Sequence, residues 1–227
     1  MIFNNDRQLF RDPPIVMLTV TENDLNPFIN CSRILISGFS HSGKSNFVSD
    51  LVNKYHKTFE KIIVLGSILE NIQSGIQIIY DNDYNPFTEH EFDDGEKPQA
   101  KLIIFDDLIG DRDKTALASK CFYKGRHLNI STIFISHNLF YPDPNYRMIS
   151  LNSTHCVLFK CRDIGQIERF ARTILSKEKV VPFLSLYKKE VTNRPFGYIF
   201  IDILKDIDSP FFLRTDILLE NQRLFQL

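Results

Sequence analysis

The segment ILISGFSHSGKSNF, residues 34–47, limits the choice of fold more than any other part of the chain. An apolar, β-rich run ends at Gly38, and residues 38–45 match the pattern G-x-x-x-x-G-K-[ST] at every fixed position. Residues 44–57 then carry apolar side chains at helical spacing. A buried strand, a glycine-rich loop and an amphipathic helix in this order predict a phosphate-binding loop.

Each fixed position of this loop has a physical reason. Gly38 and Gly43 permit backbone angles that a Cβ atom would oppose, so the loop's N–H groups can surround a phosphate. Lys44 supplies positive charge to the β- and γ-phosphates of a nucleotide, and Ser45 supplies an oxygen to Mg²⁺. The predicted nucleotide-binding residues are Gly38, Phe39, Ser40, His41, Ser42, Gly43, Lys44, Ser45 and Asn46. We interpret His41 as a variable loop residue and not as a catalyst.

Strand and helix patterns alternate along the chain, which is typical of a three-layer α/β domain with a mostly parallel central sheet. The predicted strands are residues 33–38, 61–67, 76–80, 101–107, 130–138, 154–160 and 198–204. The predicted helices are residues 44–57, 114–126 and 163–175. Polar residues follow three of the strands, at 38–45, 106–107 and 136–138. Because ligands of such sheets bind at the carboxyl ends of the strands, these three segments indicate one site.

The 227 residues suffice for one domain with short additions. We expect an N-terminal extension over residues 1–30, a nucleotide-binding domain over 31–204 and a C-terminal tail over 205–227. The tail is rich in Phe and Leu, and its sequence leaves open whether it packs on its own domain or on a neighbouring subunit.

Two acidic residues end the strand pattern KLIIFDD, and the first of them lies 62 residues after Lys44. A carboxylate at the end of a buried strand suits a Mg²⁺ ligand near the phosphates, and we assign this role to Asp106. Asp107 then occupies the position at which many ATPases carry a glutamate that orients the attacking water. One of the two could instead cap the following helix. The segment DLIG, residues 107–110, also fits the D-x-x-G element of GTPases, but the N-K-x-D element that reads guanine does not occur.

Composition and charge narrow the classes of protein and of partner that the chain allows. The four cysteines form no C-x-x-C pair, so neither a zinc site nor a disulfide framework is indicated. No apolar run approaches the ~18 residues of a membrane span, and we expect no membrane partner. Residues 80–113 carry eleven acidic and three basic residues, whereas residues 114–172 carry nine basic and three acidic ones. The basic block is compatible with an anionic partner such as DNA.

The segment KGRHLNISTIFISHN, residues 124–138, together with the phosphate loop and LIIFDD, resembles FtsK/HerA-type DNA-translocating ATPases. It is most similar to the viral branch, the genome-packaging ATPases of poxviruses and virophages. The resemblance covers roughly residues 30–172 and implies a RecA/ASCE-like P-loop domain. It also implies ATP and Mg²⁺ as ligands.

The resemblance also implies roles for four further residues. The strand that senses the γ-phosphate commonly ends in Gln in this superfamily, and here the matching position is His137, followed by Asn138. Either could contact the γ-phosphate or the attacking water. Arg126 matches an arginine that reaches a neighbouring subunit's nucleotide, with Arg147 as the alternative. Arg126 could instead be a cation at a helix C-terminus, and His137 a buried structural histidine.

The function implied is ATP-driven packaging of a viral genome by a homo-oligomeric ring, a pentamer or hexamer, acting on double-stranded DNA. Capsid portal or vertex proteins would be its partners. The host cytoplasm, the viral factory or the virion would be its location. Lys124, Lys160 and Arg162 are candidate DNA contacts. A P-loop nucleoside or nucleotide kinase is the alternative, in which YKGRHLN, residues 123–129, would form an arginine-containing lid.

Overall fold

A computed structural model describes residues 15–16, 26–28, 31–88, 98–108, 110–219 and 222–227. Within this part of the chain ten strands share one sheet. The strands are β1 (Ile15–Val16), β2 (Arg33–Ser37), β3 (Lys61–Gly66), β4 (Ile79–Tyr80), β5 (Lys101–Asp106), β6 (Ile130–Ser136), β7 (His155–Phe159), β8 (Tyr198–Asp202), β9 (Leu213–Thr215) and β10 (Arg223–Phe225). The α-helices are α1 (Lys44–Tyr55), α2 (Arg112–Lys124), α3 (Pro144–Asn152), α4 (Ile164–Ile174) and α5 (Val180–Tyr187).

The spatial order of the strands is β1-β10-β9-β8-β7-β2-β6-β5-β3-β4. The six strands from β7 to β4 pair in parallel, and the four from β8 to β1 add an antiparallel extension. The phosphate-loop strand β2 lies between β7 and β6, near the centre of the sheet. The prediction of a mostly parallel α/β sheet is confirmed.

Alternate side chains of the central strands enter two separate apolar cores. Ile34 and Ile36 of β2 pack with α1 on one face, whereas Leu35 packs on the other face with α2, α3, α4 and α5. This alternation follows from the two-residue period of a strand. Because both faces are covered, the central strands are apolar throughout, which is why they could be recognised from sequence. The three-layer arrangement places the strand ends, and not the sheet faces, in contact with solvent.

Several predicted elements differ from the observed ones. The strand predicted over residues 76–80 is wrong for residues 76–78, since only Ile79 and Tyr80 pair with β3, at the exposed edge of the sheet. Helices α3 and α5 were not predicted. The first begins with Pro144 after the N-cap Asp143, and the second is apolar around most of its circumference and lacks an amphipathic period.

Residues 205–227 contribute β9 and β10 to the sheet, so this segment packs on its own chain. An ion-pair cluster around a buried carboxylate fixes it there: Glu190, which is 1% exposed, accepts hydrogen bonds from the partly exposed Arg194 and Arg223. Asp216 accepts from the same two arginines, at 3.2 and 3.0 Å. Most of the predicted extension over residues 1–30 lies outside the described residues, but β1 pairs with β10 and Phe28 packs against Tyr55.

The four cysteines are free thiols, and two of them, Cys121 and Cys156, are buried. None of the helices in the described part of the chain is long and apolar enough to cross a membrane.

Candidate nucleotide-binding site

The ends of three neighbouring parallel strands form the candidate site. In the register of the sheet, Ser37 at the end of β2 pairs with Ser136 at the end of β6, and Asp106 at the end of β5 pairs with Ile135. The residues that follow these strands therefore lie at one edge of the sheet. They are the phosphate loop, Asp107 and His137, which the sequence predicts to share one site.

The phosphate loop is fixed to the strands on both sides of β2. The Gly38 N–H donates to the carbonyl of Ser136 at 3.2 Å, and the Phe39 N–H donates to that of Lys160 at 2.9 Å. A Cβ atom on Gly38 would lie 2.5 Å from the Cβ atom of Phe159, so a larger residue would push the loop away from β7. Gly43 has a φ angle of 99°, which is the left-handed conformation that favours glycine.

Lys44 lies buried behind this loop. Its Nζ donates to the carbonyls of Gly38 at 2.8 Å and Phe39 at 2.9 Å, and it lies 3.5 Å from Nδ1 of His137. Burial lowers the pKa of the ammonium group, while the nearby carboxylates of Asp106 and Asp107 oppose this effect. The charge of Lys44 is therefore held inside the loop, where a bound phosphate would neutralise it.

Asp106 is buried at the end of β5 and is only 5% exposed. Its pKa is raised by burial and by the charge of Asp107, and these effects outweigh the opposing charge of Lys44. The end of β3 packs directly against the end of β5. Gly66 has a φ of 104°, and a Cβ atom at this position would lie only 2.0 Å from the Asp106 carbonyl oxygen, so the close approach requires glycine. Gly66 is not among the residues predicted for the site. Its place as the last residue of an apolar strand is the sequence signal that could have indicated it.

Asp107 and His137 are joined directly. Nε2 of His137 lies 2.9 Å from Oδ1 of Asp107, and both side chains are partly exposed to solvent. Because the Lys44 ammonium has only donors, Nδ1 of His137 accepts and Nε2 carries the proton that is donated to Asp107. Asp107 has a φ of 55°, in the left-handed region that Asp adopts more readily than most residues other than glycine.

The side chain of Asn138 is directed elsewhere. Its Nδ2 donates to the Tyr141 hydroxyl at 3.1 Å, and its Oδ1 accepts from Nε2 of Gln166 at 3.4 Å. Its carbonyl accepts from the Tyr146 hydroxyl at 2.6 Å. Of the two polar residues that follow β6, His137 contacts the phosphate-loop lysine, and Asn138 ties the strand end to the adjacent loop and α4.

Arg126 is not part of the cluster in its own chain. It lies exposed in the 3₁₀ turn Gly125–Leu128 that precedes β6, so β6 separates it from His137 by about 20 Å. Arg33, the first residue of β2, has a pKa lowered by its burial and by the charge of Arg126, which places both arginines at the amino edge of the sheet. Arg147 is exposed on α3 and lines a groove of about 810 Å³ between α3 and α4.

The available oxygens fit a nucleotide and Mg²⁺. Ser42 Oγ is buried in the phosphate loop and has no hydrogen-bond partner among the described residues, and the Ser45 side chain is exposed at the start of α1. A hydroxyl and the Asp106 carboxylate are donors that Mg²⁺ prefers, with phosphate and water supplying the rest. In the described residues no group of three or more His, Cys, Asp and Glu could hold a metal ion by itself.

The family model of the Poxvirus A32 protein matches residues 85–207, which is more than half of the chain. The chain belongs to the Poxvirus A32 protein family. The segment matched to the A32 family contains the acid pair, Arg126 and the residues that follow β6, whereas the phosphate loop precedes it. The resemblance to the poxvirus branch, stated from the sequence, is confirmed.

Solved structures confirm the fold of this A32 family member. The genome packaging NTPase B204 from Sulfolobus turreted icosahedral virus 2, in complex with sulfate, has a TM-score of 0.52 and 14% identity, over 77% of this chain and 92% of that one. The same NTPase in complex with AMPPCP has a TM-score of 0.51 and 13% identity, over 76% and 93%. A search of curated protein sequences gave no significant match.

Proposed function

We propose that this chain is an ATPase that packages a viral genome by moving double-stranded DNA into a capsid. One observation carries the proposal: Lys44, Asp107 and His137 meet at the phosphate loop of a chain that belongs to the A32 family. The B204 protein, which shares the fold, is a genome packaging NTPase.

ATP is the nucleotide that we assign to the loop. The N–H groups of residues 38–45 and the Lys44 ammonium would bind the β- and γ-phosphates, and the N-terminus of α1 adds a favourable dipole. Lys44 now donates to the Gly38 and Phe39 carbonyls, so its interaction with a phosphate would replace hydrogen bonds within the loop. B204 has been solved with AMPPCP, an analogue of ATP, which supports this assignment.

Mg²⁺ would be held by the Ser45 hydroxyl and the Asp106 carboxylate. When bound, the ion would neutralise negative charge on the phosphates during hydrolysis. Its charge would also offset the repulsion between Asp106 and Asp107, which raises the pKa of the former. The protein contributes a buried carboxylate that is fixed at the end of β5.

Asp107 and His137 would act on the attacking water. Asp107 accepts a hydrogen bond from His137 and keeps a free carboxylate oxygen, which can accept one from water and take its proton as the bond to the γ-phosphorus forms. The products are ADP and inorganic phosphate. His137, which contacts both Lys44 and Asp107, is our choice for the γ-phosphate sensor in preference to Asn138.

Arg126 is proposed to act on the nucleotide of a neighbouring subunit in a homo-oligomeric ring. It lies exposed at the opposite edge of the sheet from its own phosphate loop, so its charge can reach a nucleotide only across a subunit interface. An arginine in that position would stabilise the negative charge of the transition state and couple hydrolysis to subunit motion. A pentamer or hexamer would satisfy this geometry.

Double-stranded DNA is the proposed substrate, and its phosphates are the groups that the protein would bind. Lys160 and Arg162 are exposed just after β7, and the Lys160 carbonyl is bonded to the phosphate loop. A change in that loop can therefore be transmitted to these cations. Lys124 lies at the end of α2, at the edge of the sheet opposite the phosphate loop. Capsid portal or vertex proteins are the proposed partners, in the host cytoplasm, the viral factory or the virion.

A nucleoside or nucleotide kinase is not favoured. Its lid would have to close over the phosphates, but residues 123–129 form the end of α2 and the turn before β6, at the edge of the sheet away from the phosphate loop.

The test is the ATPase rate with and without long double-stranded DNA, with the mass of the assembly followed by light scattering. We expect DNA to stimulate hydrolysis by ring-sized assemblies, and Lys44→Ala to abolish it. A monomer that phosphorylates a nucleoside and ignores DNA would refute the proposal.

A further inference from the structure

Phe196 stands beside the phosphate loop and leaves most of its ring in solvent. It is 69% exposed, yet its Cδ1 and Cβ atoms would lie 3.1 and 3.4 Å from a Cβ atom built on Gly43. A side chain that only covered the loop would be buried against it. The exposed ring is instead an apolar surface at the start of α1, next to the residues expected to bind phosphate.

The backbone at Phe196 is held in an unfavourable conformation. Its φ is 53°, in the left-handed region, which is a genuine outlier for a bulky residue. Such residues persist where the surrounding structure fixes them, and they cluster at ligand sites. The other six residues with positive φ that are not glycine, among those that the structure describes, are Cys, His, Asn or Asp, so Phe196 is the one bulky residue in the group.

The loop that carries Phe196 is anchored on both sides. Arg194 donates to Glu190 at 3.0 Å and to Asp216 at 3.2 Å. A Cβ atom on Gly197 would lie 2.1 Å from the Glu190 carbonyl oxygen, so this glycine lets the loop pack directly on the preceding helical turn. The ring is therefore presented on a fixed support.

We infer that Phe196 is the platform on which the base of the bound nucleotide stacks; the inference rests on the proposed function. A nucleoside triphosphate whose phosphates lie in the loop must extend its ribose and base away from Lys44. The exposed ring beside Gly43 is an aromatic surface in reach of that end. Stacking uses the face of the base, so the ring would add affinity for nucleoside phosphates and none for a phosphate chain without a base.

Calorimetry with ADP and with tripolyphosphate, which has no base, tests the inference. Phe196→Ala should weaken ADP binding roughly 5- to 150-fold, the range of base–aromatic stacking, and leave tripolyphosphate binding unchanged. Phe196→Gly should do the same, and it removes the ring while suiting the positive φ. Phe196→Tyr should restore ADP affinity. Wild-type affinity for ADP in both the Ala and Gly variants would overturn the inference.

The chain contains no tryptophan, so Phe196→Trp introduces a single tryptophan at the proposed platform, whose emission can be excited apart from that of the tyrosines. ADP should quench its emission and tripolyphosphate should not, whereas Tyr80→Trp, at an exposed position of the edge strand β4, should respond to neither. No quenching by ADP, when calorimetry shows that ADP binds the same variant, would overturn the stacking role alone. If the wild type binds neither ligand, the proposed ATPase function fails, and the platform fails with it.

Discussion

His137 Nε2 donates to Asp107 Oδ1 at 2.9 Å, which joins the residue after β6 to the residue after β5 beside Lys44. The two side chains leave adjacent parallel strands, so the sheet itself sets their separation. The hydrogen bond orients the carboxylate that we assign to the attacking water.

His137→Ala should lower kcat for ATP hydrolysis by about 100-fold, because the carboxylate loses its orienting donor, while KM changes little. His137→Gln should retain part of the rate, since an amide can replace the Nε2 donor. Steady-state kinetics measure both effects. Asn138→Ala is the matched control: it removes bonds to Tyr141 and Gln166, so it should lower the melting temperature and leave kcat within a few-fold. Wild-type kcat in His137→Ala would contradict this role.

Asp106→Asn should abolish hydrolysis and stabilise the nucleotide-free protein. Burial and Asp107 raise the pKa of Asp106, so the ionised carboxylate destabilises the folded state. The destabilisation is absent below the ordinary carboxyl pKa of about 4. It grows as the pH rises toward the raised pKa that Asp106 has in the folded protein, and it is complete above that pKa. Urea unfolding at pH 4 and pH 7 should show a stability gain at pH 7 that shrinks at pH 4. A loss of stability at pH 7 would contradict the assignment.

Arg223→Ala should destabilise the protein by about 1–3 kcal/mol, because it removes hydrogen bonds to the buried Glu190 and to Asp216 and loosens β10. Arg172→Ala is the control, since its pair with Glu168 is exposed on α4 and should contribute about 0.5 kcal/mol or less. Chemical denaturation measures both free energies. Equal effects of the two substitutions would show that the cluster does not fix the C-terminal strands.

Arg126→Ala should be inactive by itself and should regain activity when mixed with Lys44→Ala. In a mixed ring an intact phosphate loop of one variant can face an intact Arg126 of the other. The ATPase rate of the mixture, compared with that of each variant, measures this recovery. Arg147→Ala mixed with Lys44→Ala is the control and should show no comparable recovery. If the mixture with Arg147→Ala recovers activity and the mixture with Arg126→Ala does not, Arg147 is the arginine that reaches the neighbouring subunit's nucleotide.

The central strands and the phosphate loop could be predicted because their signals are local. β2, β5 and β6 are apolar runs that end in polar residues, and the polar ends share a sheet edge in any parallel arrangement. The choice between His137 and Asn138 could not be made from sequence, because it depends on how Tyr141 and Gln166 pack around the strand end.

The C-terminal strands and Phe196 depend on contacts between distant residues. β9 and β10 have three residues each, too few for a recognisable alternation. β9 is fixed by pairing with β8, and β10 by pairing with β9 and by the Glu190 cluster. Phe196 lies beside Gly43 because β8, which runs antiparallel to β7, begins at the loop edge next to the end of β7. The residues PFG, 195–197, indicate a turn, but nothing in them indicates that Phe196 lies next to Gly43.

In the proposed function, ATP hydrolysis at this loop moves the protein along double-stranded DNA. The most direct measurement is displacement of a third-strand oligonucleotide from a linear duplex, followed with ATP, with AMPPCP and with the Lys44→Ala variant. We predict displacement by the wild type with ATP alone, at a delay that grows with the distance from the duplex end. Hydrolysis of ATP without displacement, or displacement by Lys44→Ala, would contradict the account.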